Sequence, residues 1–140
     1  MQQPTILWLL FCHGVIKDPK GYRTLEGVTT AIVTNDIPMY IDLHLAFALS
    51  APPRRPYRLT MHMFGPSGQI TGDPFTIALD MNAHGVSEVT MPVMRLPIAG
   101  YGWHWGEIRI DGYGDDVLAK PAFLVIEQTK VASQSAETRH

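Results

Sequence analysis

The sequence predicts an all-β domain, a single antiparallel β-sandwich of about eight short strands. Apolar and polar residues alternate with a period of two through most of the chain, which is the pattern of strands with one buried face. Turn sequences rich in glycine and proline separate these stretches at intervals of roughly eight to fifteen residues. No segment carries an apolar stripe at helical spacing, so the crossover helices of an α/β fold are not predicted.

Two strands are predicted at the start of the chain. The run from Ile6 to Val15 is apolar apart from His13, which is typical of a strand buried on both faces. After a turn containing proline and glycine, the segment from Arg23 to Thr34 predicts a second strand, interrupted by a bulge near Gly27.

The next two strands alternate regularly, which predicts the face that each turns to the core. In the first, one face carries large apolar side chains, which are Ile41, Leu43, Leu45, Phe47 and Leu49. In the second, which runs from Tyr57 to Phe64, the predicted core residues are Leu59, Met61 and Met63. The opposite face of that second strand carries Arg58, Thr60, His62 and Phe64.

Four further strands complete the predicted set. They comprise a short one from Phe75 to Leu79, one from Val89 to Val93, one that ends at the Asp-Gly turn of residues 111–112, and a last one from Ala122 to Glu127. Pro92 favours an edge or a bulge for the second of these, because proline lacks the N–H of a ladder hydrogen bond. The predicted domain therefore occupies residues 1–128. The polar segment 129–140 is predicted to be a disordered tail.

The strand before the Asp-Gly turn, residues 102–112, is the most informative. One face carries Ile110, Ile108, Gly106 and His104, and the other carries Arg109, Glu107, Trp105 and Trp103. The two isoleucines predict that the first face is the core, which places both tryptophans outside. A bulge near Gly106 is the alternative, and it would turn both tryptophans inward.

The ending of the chain resembles that of many immunoglobulin-like sandwiches. Gly102-Trp103-His104 stands at the position of a Gly-x-Tyr sequence, and Ile108-Arg109-Ile110-Asp111-Gly112 stands at the hairpin that follows it. The resemblance implies an immunoglobulin-like fold. One departure is that His104 and Gly106 occupy the positions where the pattern has two inward aromatic residues.

The whole chain also resembles an uncharacterised bacterial family of small sandwich proteins. The likeness rests on Leu25-Glu26-Gly27, on the strand and turn from Arg58 to Gly68, and on the Gly-x-aromatic ending. It covers roughly residues 4 to 128. It implies a fold and carries no catalytic residue that could be transferred.

Composition and charge argue against several classes of partner. The chain has 11 basic and 13 acidic residues, a net charge of −2, and only one short basic cluster, at residues 54–58. Nucleic acid is therefore not an expected partner. The apolar run from Ile6 to Cys12 is shorter than the roughly 18 residues of a spanning helix, so no membrane partner is expected. Cys12 is the sole cysteine, which fits a reducing, cytoplasmic compartment.

Metal binding and catalysis are not predicted. The candidate soft ligands are His13, His44, His62, His84, His104, Cys12, Met61 and Met63, but neighbours among them face opposite sides of a strand. Asp111, Asp115 and Asp116 lack the ligand spacing of a calcium loop. The sequence contains no G-x-S-x-G, and Cys12 lies in an apolar strand that would suppress its reactivity. We expect no catalytic residue, no metal and no cofactor.

The outward tryptophans are the main functional signal. Trp103 and Trp105 would form one aromatic strip, and Phe64, His62 and Tyr40 would extend it if their strands were neighbours. Glu107 and Arg109 would supply a polar margin. We therefore expect a non-catalytic protein that acts through protein–protein contact, as a homo-oligomer or an accessory subunit. The alternatives are a carbohydrate-binding module that stacks sugars on the tryptophans, and a strip covered by the chain's own tail or a loop.

Overall fold

The structure, a computed structural model, describes residues 3–129, and it confirms the prediction of an all-β chain. Within these residues the chain forms ten strands: β1 (Thr5–Cys12), β2 (Gly14–Lys17), β3 (Arg23–Glu26), β4 (Ala31–Thr34), β5 (Met39–Ser50), β6 (Pro56–Phe64), β7 (Phe75–Asp80), β8 (Val86–Ile98), β9 (Gly102–Ile110) and β10 (Ala122–Glu127). The bounds predicted for the last strand are confirmed.

The strands form three sheets. One has three strands in the order β1-β5-β8, one has five in the order β4-β10-β9-β6-β7, and β2 and β3 form a separate hairpin. All pairs are antiparallel except β4 and β10, which run parallel. A parallel pair needs a long connection, and here most of the chain lies between the two strands. The prediction of a wholly antiparallel arrangement is wrong at this pair.

The two larger sheets contribute side chains to one shared core. The alternation predicted for β5 and β6 is confirmed, because Leu43, Leu45, Phe47 and Leu49 meet Leu59, Met61 and Met63 in its interior. β8, β9 and β10 complete this core with residues that share the inner face, which are Val89, Met91, Val93, Ile108, Ile110, Phe123 and Val125. β8 is an edge strand, as Pro92 predicted.

The prediction of a first strand buried on both faces is wrong. The segment divides at His13 into β1 and β2. The backbone N–H of His13 donates to the Glu26 carbonyl at 2.8 Å. β1 is an edge strand in which Leu7 and Trp8 are 57% and 40% exposed. An apolar run without alternation suited a central strand, but an edge position leaves these side chains open to solvent.

The predicted strand from Arg23 to Thr34 is also divided. β3 ends at Glu26 and β4 begins at Ala31, with Gly27 between them at a φ of 61°. Glycine adopts this left-handed conformation without the steric cost of a side chain. The chain therefore turns here and does not merely bulge.

The predicted tail, residues 129–140, lies outside the described residues except for Thr129. In the part of the chain that is described, no helix has the length and apolar character needed to cross a membrane.

Candidate functional site

β9 has the regular register that the isoleucines predicted. His104, Gly106, Ile108 and Ile110 are buried, whereas Trp103 is 57% exposed. Trp105, Glu107 and Arg109 alternate with the buried set and are half-buried on the outer face. The alternative, a bulge that turns both tryptophans inward, is wrong.

His104 fills the inward position where the immunoglobulin-like pattern has an aromatic residue. Its ring stacks on Phe123, with centroids 5.4 Å apart and an interplanar angle of 5°. Its Nδ1 lies 3.1 Å from the Gly102 carbonyl oxygen, so the tautomer with a proton on Nδ1 donates to that oxygen. Burial lowers the pKa of His104, and the bond to Gly102 offsets only part of this effect. The imidazole therefore serves as a neutral core ring.

Gly106 occupies the second inward position because no side chain fits there. A Cβ built on Gly106 would lie 2.5 Å from Sδ of Met61 and 3.1 Å from Sδ of Met63. These two methionines come from β6, the neighbouring strand, and they cover the glycine from the core side. The thioether side chains of an adjacent strand thus fill the core beside Gly106.

β6 lies beside β9, which is the arrangement that the predicted extension of the tryptophan strip by Phe64 and His62 requires. Phe64 pairs with Trp105 and His62 pairs with Glu107. The rings of Phe64 and Trp105 stack with centroids 5.5 Å apart and an interplanar angle of 13°. Tyr40 lies on β5 in the other sheet, so the prediction that it joins the strip is wrong.

Polar contacts hold Trp105 from its other side. Its Nε1–H donates to Oε2 of Glu107 at 3.3 Å, and Nη2 of Arg109 donates to Oε1 of Glu107 at 3.1 Å. Nε of Arg109 donates in turn to the Asp115 carbonyl at 3.0 Å. Burial alone would raise the pKa of Glu107. The hydrogen bonds from Trp105 and Arg109, with the positive charges of Lys120 and Arg109, outweigh it and lower that pKa.

The apolar surface continues across β10 to β4, which the sequence did not predict. Leu124 pairs with Trp103, and Ile126 pairs with Val33, which is 47% exposed. We call this surface the Trp103 face, defined by Val33, Phe64, Trp103, Trp105, Leu124 and Ile126. The alternation within β4 and β10 is visible in the sequence. The order β4-β10-β9, in contrast, depends on pairing between segments that are distant in the sequence.

Residues suggested by metal or nucleophile chemistry do not converge. Within residues 3–129, no group of three or more His, Cys, Asp or Glu side chains is placed to hold a metal ion. Cys12 is fully buried, and burial raises the pKa of its thiol. Asp111 accepts a hydrogen bond from the Thr60 hydroxyl at 3.0 Å and lies 3.4 Å from Nε of Arg58.

Comparisons with known proteins add little. No protein-family model and no curated protein matches the sequence. Among solved structures, the chain is similar to the alkylpurine DNA glycosylase AlkC of Pseudomonas fluorescens, bound to DNA with an abasic site analogue. The identity is 13% and the TM-score is 0.49, over 84% of this chain and 30% of that one. This chain thus spans less than a third of the length of the glycosylase.

Proposed function

We propose that this chain is a non-catalytic protein that acts through protein–protein contact at the Trp103 face, with a second copy or a larger protein as the partner. The observation that carries the proposal is the position of Trp103. Its side chain is 57% exposed, and the neighbouring strand places Leu124 beside it. Large aromatic side chains amid apolar neighbours are enriched at the centres of protein interfaces.

The contacts of Trp105 support this proposal. Its ring stacks on Phe64 and its Nε1–H donates to the Glu107 carboxylate, so Trp105 would lose little conformational freedom when a partner binds. The Glu107–Arg109 ion pair, at 3.1 Å, provides a polar margin that is already neutralised.

The breadth of the face favours a protein over a carbohydrate. Its side chains come from four neighbouring strands, β4, β10, β9 and β6. Sites for small ligands are concave and close around a few contacts, whereas an interface spreads over a wide surface. Carbohydrate stacking on Trp103 remains the second candidate function for this face.

We further propose that the two larger sheets form an immunoglobulin-like sandwich of the bacterial type that the sequence resembles. We also propose that the protein is located in the cytoplasm. The shared core of the sheets and the antiparallel pairing of β6 with β9 support the sandwich. The location is supported by Cys12, which is the only cysteine of the chain and is buried as a free thiol.

Sedimentation of variants tests the proposed contact. We expect the Trp103→Ala variant to stay folded, because that side chain lies outside the core, and to lose association that the wild-type chain shows at rising concentration. Trp8→Ala is the matched control, since Trp8 is a similarly exposed tryptophan on the other large sheet. It should associate like the wild type.

The pattern of losses decides the outcome. Association that only Trp103→Ala abolishes identifies a second copy as the partner. If the chain is monomeric, a purified partner must bind it and lose affinity with Trp103→Ala. A monomer that binds no protein in a Trp103-dependent way contradicts the proposal.

A further inference from the structure

A trough runs along the outer face of the three-stranded sheet, between that sheet and the β2–β3 hairpin. Ala46 of β5, whose side chain the alternation of β5 turns away from the core, lies at its base. Trp8 of β1 and Glu88 of β8 pair with Ala48 from either side. Because adjacent strands lie about 4.8 Å apart, the backbones of Trp8 and Glu88 are about 10 Å apart.

The β2–β3 hairpin forms a wall above this base. It brings Tyr22, which is 71% exposed, and Arg23 to the rim that Trp8 and Glu88 also line. Nη1 of Arg23 lies 4.0 Å from Oε2 of Glu88, which links the hairpin to the sheet. The volume of this open cavity is about 330 Å³, at the lower end of the range for small-ligand sites. We call this cavity the alanine trough, defined by Trp8, Tyr22, Arg23, Ala46 and Glu88.

The lining chemistry selects one class of ligand. Trp8 and Tyr22 line the trough, and the π-face of an aromatic ring attracts the weakly positive C–H face of a flat or puckered ring. Arg23 donates hydrogen bonds and Glu88 accepts them, so a ligand rich in hydroxyl groups can satisfy both. Their opposite charges leave this pair without net charge, which disfavours a phosphate or a carboxylate.

We propose that the alanine trough is a binding site for a neutral carbohydrate. A pyranose ring combines a C–H face with several hydroxyl groups, and it carries no charge to unbalance the Arg23–Glu88 pair. In this site the ring packs its C–H face on Trp8 and Tyr22 and exchanges hydrogen bonds with Arg23 and Glu88. The site is separate from the proposed protein contact and does not depend on it.

Backbone amide NMR on the full chain tests the proposal with defined probes. These are linear tetrasaccharides of β-linked glucose, N-acetylglucosamine, galactose and mannose, each at about 1 mM and above, with adenosine as a non-carbohydrate ring. We expect at least one saccharide to shift the amides of residues 21–25 and 88–90. Tyr22→Ala should weaken that binding at least about tenfold, with the fold preserved because the Tyr22 side chain is mostly solvent-exposed.

Two variants locate the binding. Trp8→Ala should also weaken it, and Trp103→Ala, which removes an exposed tryptophan elsewhere, should leave it unchanged. Saccharide shifts that survive Tyr22→Ala, or that Trp103→Ala removes, overturn the assignment to this trough. Absence of shifts with all four saccharides, or binding of adenosine in their place, overturns the ligand class.

Discussion

His104 shows how a titratable side chain can serve as an aromatic ring of the core. Its imidazole is buried and stacks on Phe123. The cost is that a buried imidazole is hard to protonate. Folding and protonation of this residue therefore compete.

This competition predicts acid sensitivity of the fold. The pKa of His104 is lower in the folded chain than its ordinary value of 6.5, so below about pH 6.5 the unfolded chain binds more protons. The contribution of neutral His104 to the free energy of unfolding is thus fully present above that pH, and it is lost as the pH falls towards the pKa of His104 in the folded chain. Urea denaturation at about pH 7.5 and about pH 5.5 measures how much free energy of unfolding is lost between the two pH values. This loss should be smaller in His104→Gln than in the wild type.

A histidine on the surface provides the control. His84 is exposed, and its replacement by glutamine should leave the acid-induced loss of stability as it is in the wild type. If His104→Gln loses as much stability as the wild type between the two pH values, titration of His104 does not contribute.

At the scale of elements, β9 depends on β6 on both of its faces. On the inner face Met61 and Met63 cover Gly106, and on the outer face Phe64 stacks on Trp105. The pairing of these two strands therefore fixes both the core packing and the surface that we assign to function. A change at Gly106 tests the inner contact.

We expect Gly106→Ala to destabilise the chain by about 1–3 kcal/mol, because the added methyl group overlaps Sδ of Met61 in a closely packed core. Denaturant unfolding measures the loss. Gly14→Ala is the control, since a Cβ there meets only the Glu26 carboxylate at 3.7 Å. Adding Met61→Ala to Gly106→Ala should cost less than the sum of the two single changes. Strict additivity would contradict the proposed clash.

The sequence predicts the local features of these strands well, but it predicts poorly which strands lie next to each other. The face of β9 that carries the tryptophans follows from alternation and the Asp-Gly turn, both of which are local. Tyr40 was assigned to the strip because nothing local separates its strand from β6. The alanine trough was missed for the same reason, since the hairpin that walls it is placed by tertiary contacts. A signal was present, because Ala46 and Ala48 are small and apolar at outward positions.

At the scale of the molecule, two distinct surfaces draw on different sheets. The Trp103 face is broad and apolar with a neutralised margin, and the alanine trough is narrow with an aromatic and a charged wall. The first suits a protein and the second a neutral ring. Because the two surfaces draw on different strands, each can be altered without touching the other.

Fluorine NMR of the chain labelled with 5-fluorotryptophan tests the central claim, that Trp103 becomes covered by another protein. The three tryptophan resonances are assigned by replacing each tryptophan with phenylalanine. The solvent isotope shift of each resonance reports the solvent exposure of that tryptophan. We predict that the Trp103 shift shrinks on assembly with a second copy or a partner, while the Trp8 shift is unchanged. A Trp103 that stays equally solvent-exposed at every concentration and in every complex contradicts the account.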